Sequence, residues 1–170
     1  MKKLMTLFLL VTSVSLWGQK DVQTTNNLWV TGEVKQDLKI NLDDIEKYPS
    51  RIIGDVIITN HMGEPRGTAS NLSVVLIKEL FKDLVLNEDN PKLFSEFYFV
   101  FVAIDNYKVV YSWNEIFNSP TGDNIYLITS RDGQDFREMK EGLLILTPTD
   151  FKTGRRHIKG TSKIIVKRVE

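Results

Sequence analysis

The chain has 170 residues, 42% of them apolar and 26% charged, and its 22 basic and 22 acidic side chains balance to a formal charge of zero. That length bounds one domain able to bury a core, and the even charge gives no sign of nucleic acid or a membrane surface as partner. Cysteine is absent, which excludes disulfides, thiolate metal ligands, a nucleophilic thiol and acylation at cysteine.

Met1-Lys2-Lys3 is a short basic segment, followed by an apolar run over Leu4–Leu16. This is the pattern of a secretory signal peptide, which predicts a periplasmic or secreted protein. The alternative is a membrane anchor, but the run is too short to span comfortably and no basic flank follows it. Cleavage fits after Ser15 or after Gly18; the second site removes Lys2 and Lys3 and leaves 20 basic and 22 acidic residues, a net charge of −2. The expected organisation is a signal peptide over 1–18, a disordered lead-in over 19–27 and one folded domain over 28–170.

Leu28–Val34 and Leu38–Leu42 alternate as partner strands. Asn41 is placed to cap a short helix over Leu42–Lys47, with Asp43 and Asp44 in its favourable first turn, and Tyr48-Pro49 stops it. Arg51–Asn60 reads as a strand with a glycine break, and His61–Gly67 as a loop. The best helical pattern starts at Ser73: Val74, Ile77, Phe81 and Leu84 fall on one face, with Leu76 and Leu80 beside them. Phe97–Ile104 has no charge and is rich in aromatic and β-branched residues, so it reads as a strand buried on both faces. Asp105-Asn106 supplies a turn, Lys108–Tyr111 a return strand, and Ser112 with Glu115 the capping box of a short helix ended by Ser119-Pro120-Thr121-Gly122. Ile125–Ser130 is a strand, Arg131–Gln134 a hairpin turn, and Leu143–Thr147 and Ser162–Val169 the last strands. The sum is eight or nine strands with about three short helices, an α+β domain with a mixed, largely antiparallel sheet.

In their order along the chain these segments resemble the molybdopterin-binding domain of the sulfite oxidase type of oxidoreductase, in its small stand-alone form. The likeness runs through Leu28–Val34, Ile40–Ile45, Gly67–Leu80, Ile104–Phe117, Arg131–Gly133 with Glu141–Pro148, and Arg156–Val166. No one motif is specific; the ordered set over roughly residues 28–169 carries the resemblance. It implies a fold like the sulfite oxidase molybdopterin domain and, as cofactor, molybdopterin. In catalytic members a cysteine thiolate ligates molybdenum from a loop that falls here near Thr59–His61, where no cysteine stands. The expectation is therefore no catalytic residue, no metal ligand and no bound cofactor, with molybdopterin kept open by the resemblance.

Lys152, Arg155, Arg156, His157, Lys159 and Lys163 form a basic cluster with no acid among them, behind Gly154. By resemblance this region holds the cofactor's phosphate, and guanidinium groups make charge-assisted bonds to phosphate. Arg155, Arg156 and Lys159, with Asn60 and His61 at the cofactor-facing end, are the candidate cofactor-binding residues. The competing reading is a solvated loop leading into an edge strand. For His61 it is an exposed loop histidine, and whether His61 meets His157 depends on the fold. Gly63–Gly67 lacks the Lys-Ser/Thr of a phosphate-binding loop, no serine sits in a G-x-S-x-G elbow, and caps and turns account for Asp43/Asp44 and Asp132/Asp135. Among Trp29, Tyr107 and Trp113, aromatics able to stack on a ligand, Trp113 reads as core and Tyr107 as exposed. Three functions follow: an exported non-catalytic binding or accessory domain taking a small anionic ligand or an envelope protein in the cofactor crevice; an oxidoreductase with unusual metal ligation; or an interaction module of the cell envelope.

Overall fold

The structure is a computed structural model that describes residues 26–170; the leader expected over 1–18, and the lead-in up to residue 25, lie outside the described residues. Alternating apolar residues build β1 (Asn27–Gly32) and β2 (Leu38–Asn41), which pair antiparallel, so the first strand begins one residue before the expected Leu28. They belong to a five-stranded sheet in the order β2-β1-β12-β7-β8, with β7 at Phe97–Ala103, β8 at Lys108–Ser112 and β12 at Thr161–Arg168. Only the β1–β12 pairing in it is parallel.

A second sheet runs β10-β9-β6-β3, from β3 (Ser50–Ile53), β6 (Leu72–Leu76), β9 (Tyr126–Arg131) and β10 (Gln134–Asp135), with β11 (Leu144–Leu146) also paired to β9. β4 (Val56–Thr59) and β5 (Pro65–Ala69) form a separate hairpin. The helices are short: α1 (Ile77–Leu80), α2 (Trp113–Phe117) and 3-10 turns at Leu42–Lys47, Pro91–Glu96, Pro120–Asn124 and Thr153–Arg155. This is the α+β class with mixed, largely antiparallel sheets that the sequence predicts.

Strand β7 organises the core. Phe97, Phe99 and Phe101 are buried on one face and Val100 and Val102 on the other. Phe81 stacks on Phe99 at 5.3 Å and Phe101 meets the Tyr111 ring edge-on at 5.2 Å. Each such side chain contributes on the order of 2–3 kcal/mol by leaving water. The turn after β7 places Asn106 at φ 67°, and the Asp105 carboxylate accepts from the Tyr107 N–H at 2.9 Å, as short polar side chains at a turn do. The capping box forms in full: the Ser112 hydroxyl accepts from the Glu115 N–H at 3.1 Å, and the Glu115 carboxylate accepts from the Ser112 N–H at 2.8 Å.

Four expectations change. β5 starts inside the expected loop His61–Gly67, and the last strand, read as an edge, is β12, flanked by β1 and β7. The helical pattern from Ser73 is mostly strand: Leu72–Leu76 is β6, and only Ile77–Leu80 turns helical. Asn71 at φ 49° breaks the chain before it, and β3 and β9 flank it on both sides, so the β-branched Val74 and Val75 are buried as a central strand buries them. The expected strand Arg51–Asn60 divides at Gly54-Asp55 into β3 and β4, which sit in different sheets. That division frees β4 to carry its turn toward the C-terminal loop.

Candidate functional site

The C-terminal loop between β11 and β12 is pinned to the end of β4. The Thr153 hydroxyl accepts from the Thr59 N–H at 2.9 Å and donates to the Ile57 carbonyl at 2.9 Å. Gly154 is required by close approach, since a Cβ there would stand 1.8 Å from the Thr59 carbonyl oxygen. Arg155 Nε donates to the His61 carbonyl at 3.2 Å, and the Tyr107 hydroxyl donates to the Arg155 carbonyl at 2.6 Å. Three turns that are remote in sequence thus meet: the β4–β5 turn with Asn60 and His61, the β7–β8 turn with Tyr107, and the basic loop.

Beneath that surface lies a charge knot. Arg156 Nε donates to Asp150 Oδ2 at 2.7 Å, its Nη2 donates to the other Asp150 oxygen, and its Nη1 donates to Glu115 Oε1 at 2.8 Å. The guanidinium also lies 4.5 Å over the Tyr111 ring. The Asp150 hydrogen bonds raise the Arg156 pKa against the cost of burial. Burial works against the Glu115 carboxylate, but the Ser112 N–H and hydroxyl and Arg156 outweigh it, so its pKa is lowered. Burial pushes the Tyr111 phenol up to about 12, and that hydroxyl shares a 2.8 Å hydrogen bond with Thr147 Oγ1.

The sequence-predicted residues therefore separate. Arg155 and His61 are exposed on one face, together with Lys152, which has no ion-pair partner among the described residues. Asn60 is beside them but holds the turn: its Oδ1 accepts from the Met62 and Glu64 N–H groups at 2.9 and 3.0 Å, and its Nδ2 donates to Glu64 at 2.7 Å. Arg156 is half-buried and spends its hydrogen bonds on two carboxylates. Lys159 faces Glu141 at 3.9 Å, a carboxylate that Arg131 also engages at 3.2 Å. His157 belongs to that second group. Burial, then Lys159 and Arg131, hold its pKa down to about 4 against the pull of Glu141.

Asp150, Phe151, Lys152, Arg155 and Arg156 line a shallow, open recess of about 440 Å³. Phe151 is fully exposed at its rim. A deeper cleft of about 540 Å³ lies between α1 and α2, with Phe81, Phe94, Phe99, Trp113 and Phe117 on its walls. Trp113, expected in the core, packs against it but is only half-buried on the wall of this cleft, against Phe94 and Phe117, and Tyr107 is exposed, as expected. Sequence reasoning missed the counter-charges Asp150 and Glu115 and the Thr153–Thr59 latch. An acid six residues before Arg156 was the available signal for the first; nothing local announced the other two.

At the position from which a molybdenum thiolate would come by resemblance, the chain offers Thr59, Asn60 and His61. The Thr59 hydroxyl is turned to Thr153 and to the Gly154 N–H at 3.5 and 3.4 Å, and the Asn60 side chain is occupied by its own turn. Among the described residues no group of three or more His, Asp or Glu is arranged to hold a metal ion. These donors do not fit a soft, thiolate-ligated metal.

No protein-family model matches the chain, and no curated protein is similar to it. Among solved structures, the sulfane dehydrogenase SoxCD from Paracoccus pantotrophus is similar, with a TM-score of 0.58 over 90% of this chain at 14% identity. The chain spans 41% of the length of that protein's chain. The likeness defines the fold: an α+β domain of mixed sheets and short helices, shared with part of a much larger enzyme chain.

Proposed function

We propose that this is an exported, non-catalytic binding or accessory domain built on the sulfite-oxidase-type molybdopterin fold. Its working face is formed by Lys152, Arg155 and the His61 turn, and it receives a small anionic ligand or a partner in the cell envelope. One observation carries the reading. Two exposed cations without a carboxylate partner sit on a loop hydrogen-bonded to the turn where the fold's metal-ligating cysteine would stand, in a chain that has none. Cations held on a rigid loop favour an anion because they make charge-assisted bonds without first being ordered. The likeness to a sulfane dehydrogenase supports the fold, and the resemblance makes molybdopterin the cofactor such a fold would take; the donor set here suits its phosphate better than its metal.

The test is molybdenum and pterin content of the protein purified from a host that makes molybdenum cofactor, by elemental analysis and fluorescence of oxidised pterin. Thermal unfolding with inorganic pyrophosphate completes it. The expected result is no stoichiometric molybdenum and a rise in Tm with pyrophosphate that Lys152→Glu abolishes. Stoichiometric molybdenum with pterin would overturn the non-catalytic reading, and a pyrophosphate response untouched by Lys152→Glu would overturn the site.

A further inference from the structure

We infer that the 150–156 loop docks the protein on an anionic lipid surface, with Phe151 entering the headgroup boundary and Lys152 and Arg155 meeting headgroup phosphates. The inference rests on the proposed reading that this face is the working one, and it names what the face meets.

Phe151 is 102% exposed, the most exposed large apolar side chain among the described residues. Its exposure does not come from a loose loop. Asp150 on one side is clamped by Arg156, and Thr153 two residues on is buried and hydrogen-bonded to both Ile57 and Thr59. The backbone on both sides of the ring is fixed, while the ring projects clear of every neighbour. The turn that Arg155 binds carries a second exposed apolar side chain: Met62 is 62% exposed, between His61 and Gly63, and a Cβ on Gly63 would lie 3.6 Å from the Lys152 side chain.

The charges fit the same surface. Lys152 and Arg155 flank the ring and have no carboxylate partner among the described residues. Three of the nearby acids are engaged, Asp150 and Glu115 by Arg156 and Glu64 by Asn60 and Arg66; Asp105 accepts from the Tyr107 N–H. An apolar tip beside two unpaired cations matches an anionic bilayer, whose interior edge takes the ring while its surface potential attracts the cations. A projecting ring beside a shallow, open recess suits a deformable lipid surface, whose headgroup phosphates reach the same exposed cations that a free anion would.

The test is co-sedimentation of the exported protein with vesicles of equal phosphatidylglycerol and phosphatidylcholine, and with pure phosphatidylcholine vesicles. Binding to the mixed vesicles is expected to exceed binding to the neutral ones. Phe151→Ser should lower it about tenfold and Lys152→Glu about thirtyfold, and raising salt should weaken it. Phe151 touches nothing that holds the fold, so Phe151→Ser keeps the wild-type Tm and its effect reads docking alone. Equal partitioning of Phe151→Ser and wild type, or equal binding to both vesicle types, overturns the inference. If pyrophosphate raises Tm in a Lys152-dependent way while vesicles are not bound, the anion is a free one, or the ring serves a protein pocket; docking on lipid is then wrong and the anion-binding reading stands. If neither binds, both fall.

Discussion

Replacing Arg156 by Met keeps an unbranched apolar stem over the Tyr111 ring and removes the charge that holds Asp150 and Glu115. The side chains of Arg156 and Asp150 are 21% and 15% exposed, and that of Glu115 is 39% exposed. Removing one partner of a fully buried ion pair costs about 3–5 kcal/mol, and an exposed pair is worth about 0–1 kcal/mol. A knot about four-fifths buried on its Arg–Asp side falls between, at about 2–3 kcal/mol. For a domain of this size that is a fall in Tm of about 5–10 °C, measured by calorimetry. Arg155→Met, one residue earlier, removes an exposed guanidinium with no carboxylate partner and should stay within about 0.5 kcal/mol of wild type. Adding Asp150→Asn to Arg156→Met should restore about 1 kcal/mol or more, because the neutral amide no longer leaves a half-buried charge unpaired. If Arg155→Met and Arg156→Met lower Tm equally, or if Asp150→Asn deepens the loss, the knot is not the scaffold of this loop.

Other perturbations follow the same geometry. The folded protein keeps His157 neutral down to about pH 4, whereas the ordinary value of 6.5 applies when unfolded. Between those values the unfolded chain binds more protons, so stability falls as pH drops through that window and is unaffected above it. His157→Gln should remove about 2–3 kcal/mol of that loss, and urea midpoints at pH 7 and pH 4.5 that change in parallel for both proteins would refute it. Thr153→Val leaves the Thr59 N–H without its acceptor and should cost about 1–3 kcal/mol, with faster amide exchange at Thr59 as its signature. Gly154→Ala forces a methyl to within 1.8 Å of the Thr59 oxygen, so the loop must leave β4; Tm should fall by at least as much as in Thr153→Val, and an unchanged Tm would mean the contact is not tight.

What was legible in the sequence was what neighbours in the chain decide. The turn at Asp105-Asn106, the capping box of Ser112 and Glu115, and the Arg131–Gln134 hairpin with Asp132 and Gly133 at φ 52° and 79° are all local chemistry. The Asn41 cap also forms, its side chain accepting from the Asp43 N–H at 3.1 Å. What was not legible was decided at a distance. Val74 and Ile77 share a helical spacing, yet β3 and β9 claim the first as strand, and only pairing partners remote in sequence could say so. The parallel pairing of β1 with β12 joins the two ends of the domain and has no local signature. The site shows the same division. The basic cluster was visible as composition, but which of its members stay free depends on Glu115, forty-one residues from Arg156.

The opposite fates of Arg155 and Arg156 limit what this face can hold. Adjacent side chains in an extended or turning segment point apart, so the fixed loop that buries Arg156 presents Arg155. Recruiting Arg156 to a ligand would strand Asp150 and Glu115, at a cost comparable to the scaffold term above. Lys159 is likewise engaged by Glu141. Any anion at the face therefore meets Lys152 and Arg155, not the whole basic cluster that the sequence gathers there. Two exposed cations give modest, salt-sensitive attraction, and useful affinity then requires a second contribution acting at the same place. Phe151 is the side chain beside them with apolar surface still to bury, which ties the electrostatic and apolar halves of binding to one rigid loop and makes their joint loss in Phe151→Ser and Lys152→Glu a single, shared consequence.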